Sequence, residues 1–243
     1  MHIYAIADLH LPGGQEKPMD VFGGKWRDHP ARIEENWRRV VGEDDLVLVP
    51  GDISWAMKLG EARGDLDFIG RLPGRIILSR GNHDYWWQAI GKVRGALSER
   101  VVALQNDHAP IGGGFAVCGS RGWNHPYTPG FSEEDQKLYE RELQRLKLSL
   151  DSAARAGLRP AAVLLHFPPA PADGRSTGFT DLLEAYDVQL CVYGHLHGDA
   201  QKGALQGLVR GVVYHLVACD AIGFTPKRVA TVCGGDLKVE PAA

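Results

Sequence analysis

Apolar runs rich in β-branched residues recur along the whole chain, at 3–7, 46–49, 75–78, 101–104, 115–118, 161–165, 190–193, 212–217 and 228–232. Each is strand-sized and bounded by Gly, Pro, Asp or Asn, so each predicts a β-strand. Several are apolar at nearly every position, as in strands covered on both faces. Helical patterns lie between the early strands, at 30–41 and 85–97, and the clearest one spans 132–156. There Ser132 and Asp135 make a capping-box start, with Glu133 and Glu134 favourable in the first turn. Tyr139, Leu143, Leu146, Leu150 and Ala153 follow at spacings of 4, 3, 4 and 3, which is one buried stripe. Gly157 is suited to stop the helix. The first half reads β-α-β-α-β. The second half reads as strands with shorter connections, ending in a hairpin around Gly234-Gly235. Gly112-Gly113-Gly114 predicts another hairpin, since it lacks the Lys-Ser/Thr of a phosphate-binding loop. The expectation is a single α/β domain over 1–243, with two sheets covered by helices. The long loops at 11–29 and 119–131 carry Gly, Pro and Trp and are candidates for shaping a site.

Composition narrows the class. With 44% hydrophobic and 23% charged residues, the chain carries enough apolar material for a packed core. No apolar run approaches the ~20 residues of a spanning helix. The first residues show no basic-then-apolar secretory pattern. The formal net charge of −3 argues against broad binding to nucleic acid. The four cysteines, Cys118, Cys191, Cys219 and Cys233, sit in apolar segments without a CxxC pair. They predict buried free thiols in a cytoplasmic protein.

A series of segments each follows a strand-like run and ends in metal-competent side chains: Asp8-Leu9-His10, Gly51-Asp52, Gly81-Asn82-His83-Asp84, His166, and Gly194-His195-Leu196-His197. Loops at the carboxyl ends of parallel strands gather in one crevice. Carboxylate and imidazole donors suit divalent Mn, Fe, Zn, Co or Ni, and no thiolate is offered. Strand alternation would turn Asp8 with His10, and His195 with His197, to one side. Asp52 can bridge two ions. Gly51, Gly81 and Gly194 each precede a proposed ligand and free the backbone to turn there.

This ordered set, DLH, GD, GNHD, H and GHLH, resembles the calcineurin-like metallophosphoesterase superfamily over residues 8–197. The resemblance implies a four-layer αββα sandwich of two mixed sheets, with a dinuclear centre at the strand ends. It implies that one ion takes Asp8, His10, Asp52 and His197, and the other Asp52, Asn82, His166 and His195. It makes His83 the histidine near the leaving group, acting as general acid. Two dications, Mn²⁺ first among candidates, would make a bridging hydroxide available for in-line attack on phosphorus. Asn82 would help offset charge on the phosphoryl oxygens, and Asp84 would orient His83 or a ligand.

The residues after Asp52 are Ile53-Ser54-Trp55-Ala56, and the third motif ends in Asp84. The protein serine/threonine phosphatase branch resembles GDxVDRG there and ends that motif in Glu. The favoured expectation is therefore a phosphodiesterase acting on a small phosphoester, a nucleotide among the candidates. Phosphomonoesterase or nucleotidase, protein phosphatase and nuclease are the enzyme alternatives, and a non-catalytic metal-binding scaffold is the alternative of another class. His2, His29, His108, His125 and His215 are read as structural or surface residues. Arg80 is divided between a phosphate contact and a salt bridge. Of the adjacent Trp86 and Trp87, on a helix, only one would face the core. Trp55, Trp123 and Tyr127 are minor candidates for a cleft wall, the 124–127 segment for substrate-facing variation, and Asp220 for support of a ligand.

Overall fold

The computed structural model describes residues 1–14, 19 and 23–242. The first sheet has the order β12-β11-β1-β2-β3-β4, built from β1 (His2–Ala5), β2 (Leu46–Pro50), β3 (Arg75–Ser79), β4 (Val101–Ala103), β11 (Lys227–Cys233) and β12 (Asp236–Val239). The second has the order β5-β6-β7-β8-β10-β9, built from β5 (Ala109–Gly112), β6 (Phe115–Gly119), β7 (Arg159–Leu165), β8 (Leu190–Tyr193), β9 (Gly207–Val209) and β10 (Val212–Leu216). Both sheets are mixed. β1 to β4 run parallel, as do β6, β7, β8 and β10, while the edges carry antiparallel pairs.

Strand alternation separates the layers. On β2, Leu46 and Leu48 point between the sheets, where they meet Val117, Leu164 and Val192. Val47 and Val49 point outward, onto Ile33 and Trp37 of α1 (His29–Val40) and Leu66 of α2 (Leu59–Gly70). The outer face of the second sheet packs Val163 and Cys191 against Leu146 and Leu150 of α4 (Glu133–Arg155) and Phe179 and Leu183 of α5 (Gly178–Ala185). Helices, sheet, sheet and helices thus form four layers, as the motifs implied. Each fully buried Leu, Ile or Phe stabilises this arrangement by about 1.5–3 kcal/mol.

The α4 start is as the sequence predicted. Ser132 Oγ accepts from Asp135 N at 3.1 Å, and Ser132 N donates in turn to Asp135 Oδ2 at 3.0 Å. Gly157 follows with φ +71°. Elsewhere the structure departs from the expectation. The helix expected at 85–97 shrinks to α3 (Ile90–Arg94). Its first turn is replaced by an irregular segment that buries Trp86 and Trp87 in the same core and lets Trp86 Nε1 donate to Asp84. The reading that only one of the two indoles would face the core fails because they are not helical neighbours. Helices α2 and α5 were not expected. Gly60, Gly64 and Gly70 mask α2, since glycine is a poor helix former, and α5 has only 8 residues. Of the cysteines, Cys118, Cys191 and Cys219 are buried free thiols, whereas Cys233, at the exposed end of β11, is not buried. Part of the long 11–29 loop lies outside the described residues. Among the described residues no helix is long and apolar enough to cross a membrane.

Candidate metal centre

The motif segments do not lie on strands. β1 ends at Ala5 and β8 at Tyr193, so Asp8, His10, His195 and His197 occupy the loops that follow. Strand alternation therefore does not aim these pairs. Instead Asp8 (φ +60°), His10 (+43°), Asp52 (+51°) and His195 (+72°) all adopt left-handed backbone. That region costs a non-glycine residue on the order of 1–3 kcal/mol, and strain gathered at one spot marks a site the fold is built to hold. The glycines also act differently from expectation. Gly51 does need its φ of +86°. Gly81 and Gly194 chiefly supply room: a Cβ would stand 2.1 Å from Asp52 Oδ1 at the first and 2.2 Å from Asp8 Oδ2 at the second.

All seven side chains expected to bind metal come together. His166 Nε2 lies 2.6 Å from Asn82 Oδ1, 3.2 Å from His195 Nδ1 and 3.4 Å from Asp52 Oδ2. His195 Nδ1 is 3.1 Å from the same Asn82 oxygen. Asp8 Oδ1 is 3.7 Å from His197 Nε2 and 3.8 Å from His166 Nδ1, and His10 Nε2 is 3.8 Å from Asp52 Oδ2. Donor atoms of Asp8, His10 and His197 lie within 4.8 Å of one another, as do those of Asp8, Asp52 and His166. Asp8 thus reaches both groups, a wider reach than the single ion expected for it.

The donor chemistry fits cations. His166 Nδ1 donates to Pro50 O at 3.1 Å, which leaves a lone pair on Nε2. With the Asn82 amide oxygen inward, that lone pair faces an acceptor at 2.6 Å, a pairing that a cation held by both atoms would satisfy. His197 Nδ1 donates to Asp220 Oδ1 at 2.8 Å, freeing Nε2 in the same way. This is the arrangement in which an outer carboxylate or carbonyl fixes the ring of a metal-binding histidine. His10 Nδ1 is buried without a hydrogen-bond partner among the described residues. Burial, helped by Asp52, pushes the Asp8 carboxyl well above the usual range, and burial raises Asp52. Burial and the neighbouring imidazoles hold His10 well below its ordinary value, and burial carries His166 and His195 down to about 3. A cation shared among these groups would favour the ionised carboxylates and the neutral imidazoles alike.

The supporting residues are now visible. Asp220 also takes Lys25 Nζ at 2.6 Å. Burial works against its charge, but the bonds from His197 and Lys25 prevail and hold it at about 2. Asp84 does not bond His83. Its buried carboxylate accepts from Ile53 N, Ser54 N, Gly81 N and Trp86 Nε1 at 2.8–3.2 Å, tying the Asp52 loop to the Asn82 loop. Burial and the Asp52 charge push it up to about 6. His83 donates its backbone N–H to Asp52 Oδ1 at 2.8 Å, and its side chain, 37% exposed, stands at the rim with Nε2 4.0 Å from Asp52 Oδ2. Trp55 stacks on His10 at 4.7 Å. With Lys25, Trp26, His83 and His197 it lines a cleft of about 340 Å³ open above the cluster. Trp123 and Tyr127 lie outside that cleft, although Tyr127 lines a neighbouring cavity that reaches His195. His29 and His215 are buried structural residues bonded to backbone carbonyls. Sequence reasoning missed Lys25; a lone lysine in a loop carries no signal of its partner.

Residues 1–199 match the calcineurin-like phosphoesterase family, and the chain belongs to it. That family's chemistry is metal-dependent hydrolysis of phosphoesters. Among curated proteins, the chain is 36% identical over 86 residues to the gene 66 protein of Mycobacterium phage D29, covering 34% of this chain and 40% of that one. It is also 36% identical over 80 residues to the gene 66 protein of Mycobacterium phage L5, covering 32% and 37%. The match thus spans 40% or less of the length of either relative. Among solved structures, a phosphopantetheinyl hydrolase from Mycobacterium tuberculosis aligns with TM-score 0.54 at 18% identity, over 89% of this chain and 88% of that one. A protein of unknown function from Aquifex aeolicus aligns with TM-score 0.50 at 15% identity, over 93% and 94%. At these identities the likeness is one of fold.

Proposed function

We propose that this protein is a phosphodiesterase that hydrolyses a small phosphoester with two bound divalent ions. The observation that carries this reading is the buried cluster of facing lone pairs beneath an open cleft, with His83 at its rim. In this reading Asp8, His10, Asp52 and His197 hold one ion, and Asp52, Asn82, His166 and His195 hold the other. The all-oxygen-and-nitrogen donor set supports Mn²⁺ as the first ion to try, with Fe, Zn, Co and Ni behind it. When bound, such ions supply positive charge that readies water for attack near neutral pH and offsets charge on the phosphoryl group.

The chain's own residues do the rest. With its Oδ1 turned to His166 and His195, Asn82 would use its amide N–H to donate to a phosphoryl oxygen. His83, half-exposed, is placed to give a proton to the departing alkoxide, a poor leaving group without one. Asp220 keeps His197 in the tautomer with Nε2 free, and Trp55 pins the His10 ring. Among the described cleft residues the one permanent cation is Lys25, already held by Asp220. A singly charged diester needs less cationic grip than a dianionic monoester, which supports the diester. The pairing of β1 with β11 places strands from early and late in the sequence side by side in one sheet, which supports a single catalytic unit over 1–243. The free thiols support a cytoplasmic setting.

The test is hydrolysis of bis-p-nitrophenyl phosphate and p-nitrophenyl phosphate with Mn²⁺. The expected result is faster diester cleavage, lost on chelation and in Asp52→Asn. Faster monoester cleavage would replace the diesterase reading by a phosphomonoesterase one, and no cleavage with any divalent ion would leave a metal-binding scaffold.

A further inference from the structure

A second cavity, of about 240 Å³, opens at the same end of the strands as the metal cluster. Ser79 and Arg80 enter it from the end of β3, Arg121 from the loop after β6, and Glu142 and Arg145 from α4. No described residue that lines it also lines the cleft over the metal cluster. Its volume is several times the roughly 30 Å³ share of one water, so it has room for a small ligand.

Its charges do not balance. Three guanidiniums and one carboxylate line it, a formal excess of +2 (3 − 1). Glu142 is fully buried on the helix face that otherwise carries the apolar stripe. All its ion pairs fall on one oxygen: Oε1 lies 2.8 Å from Arg145, 3.5 Å from Arg141 and 3.6 Å from Arg121. Glu142 Oε2, Arg121 Nε, Arg80 Nε and Ser79 Oγ are all buried and have no hydrogen-bond partner among the described residues. Burial, only partly offset by Glu142 and reinforced by the neighbouring guanidiniums, pushes Arg121 down to about 10, still charged at neutral pH. A buried polar atom without a partner costs about 1–3 kcal/mol, and such atoms rarely gather around one cavity unless something completes them. The surplus of guanidinium donors calls for an anion. The spare carboxylate oxygen calls for a donor on that same anion.

We propose that this cavity binds a tetrahedral oxyanion that keeps a proton, namely inorganic phosphate, or a phosphomonoester group bound as its monoanion. Arg80, Arg121 and Arg145 take its unprotonated oxygens, and its P–O–H donates to Glu142. The segments holding the occupant also place the metal cluster. Arg80 precedes Gly81-Asn82, and the Arg121 carbonyl accepts from His166 N at 2.9 Å and Phe167 N at 3.1 Å.

The arrangement dictates a selectivity. Near neutral pH phosphate retains a proton and sulfate does not, so sulfate would set an acceptor against Glu142. Calorimetric titration of the full chain, with metals removed by chelation and the fold checked by circular dichroism, reads this site without the metal cluster. The expected result is one phosphate site preferring phosphate over sulfate by about tenfold or more, the equivalent of one charged hydrogen bond. Arg80→Gln is expected to weaken phosphate by about tenfold or more, and Glu142→Gln to abolish the preference over sulfate. A nucleoside monophosphate titrated at pH 6, where about half of it carries that proton, distinguishes the sources: comparable binding points to an organic phosphomonoester, and binding of phosphate alone to the free ion. Absence of binding by either phosphate species, sulfate binding as tightly as phosphate, or an Arg80→Gln protein that titrates like the parent would overturn the proposal. The readout involves no hydrolysis, so its failure leaves the diesterase reading untouched.

Discussion

Replacing Gly194 by Ala probes the cluster through a single methyl group. The added Cβ would stand 2.2 Å from Asp8 Oδ2 and 2.6 Å from Ala7 Cβ. Both distances fall roughly an ångström or more short of ordinary van der Waals contact at about 3.5–4.0 Å. Asp8 cannot retreat freely, because both its oxygens accept from His195 N, at 3.0 and 3.1 Å. Relief therefore moves the carboxylate, the His195 backbone, or both, and each bears a proposed ligand. Overpacking of this kind costs about 1–3 kcal/mol of stability. Displacing an oriented ligand is expected to lower metal affinity by roughly 10–100-fold, as losing a ligand's supporting contact does. The assay pairs a urea melt of the metal-free protein with calorimetric titration of Mn²⁺ and a hydrolysis rate. The expected pattern is a modest stability loss with a far larger fall in metal affinity and in activity at limiting Mn²⁺. A Gly194→Ala protein that binds Mn²⁺ as the parent does would refute the reasoning, because room for Asp8 would then not be what the glycine supplies.

Other consequences can be checked alongside. Asp220→Asn keeps an acceptor for His197 Nδ1 but loses the charge shared with Lys25, so Mn²⁺ affinity should fall by about 10–100-fold with little change in the melting curve; an unchanged titration would remove Asp220 from the supporting set. His83→Asn should slow esters of poor alcohol leaving groups far more than nitrophenyl esters, and equal slowing of both would count against its role as acid. His215, deep in β10, is held down to about 4 by burial, mainly, and by Lys227, against an ordinary value of 6.5. A lowered histidine favours folding above its unfolded value, so its contribution is complete above pH 6.5 and is lost as pH falls to about 4. That amounts to at most about 3 kcal/mol, and His215→Gln should flatten the stability curve across this window. An equal slope in both proteins would refute the assignment.

Much of the fold was legible because it is written in local periodicity. The unbroken apolar run at 46–49 and the cap and stripe of α4 each state their structure within a few residues. The metal-competent residues were legible for another reason: each stands just past a strand, and parallel strands deliver their ends to one place. Less legible were features that arise only between distant segments. The hold of Asp84 on the Asp52 loop crosses 31 positions. The Lys25–Asp220 pair crosses 195. Helix α2 was hidden because its glycines suppress propensity while tertiary contacts at Ala62, Leu66 and Ile69 stabilise it regardless. The left-handed backbone at Asp8, His10, Asp52 and His195 carries only a weak signal: Asp and His enter that region more often than other non-glycine residues, but still seldom.

The two β-layers share custody of the cluster. Asp8, His10, Asp52 and Asn82 extend from one layer, and His166, His195 and His197 from the other. An ion lodged among them would therefore be a rivet through the sandwich, tying loops that follow strands in both halves of the sequence. A chain lacking β7 and β8 would keep Asp8, His10, Asp52 and Asn82 but lose His166, His195 and His197, so neither half alone would present the whole donor set.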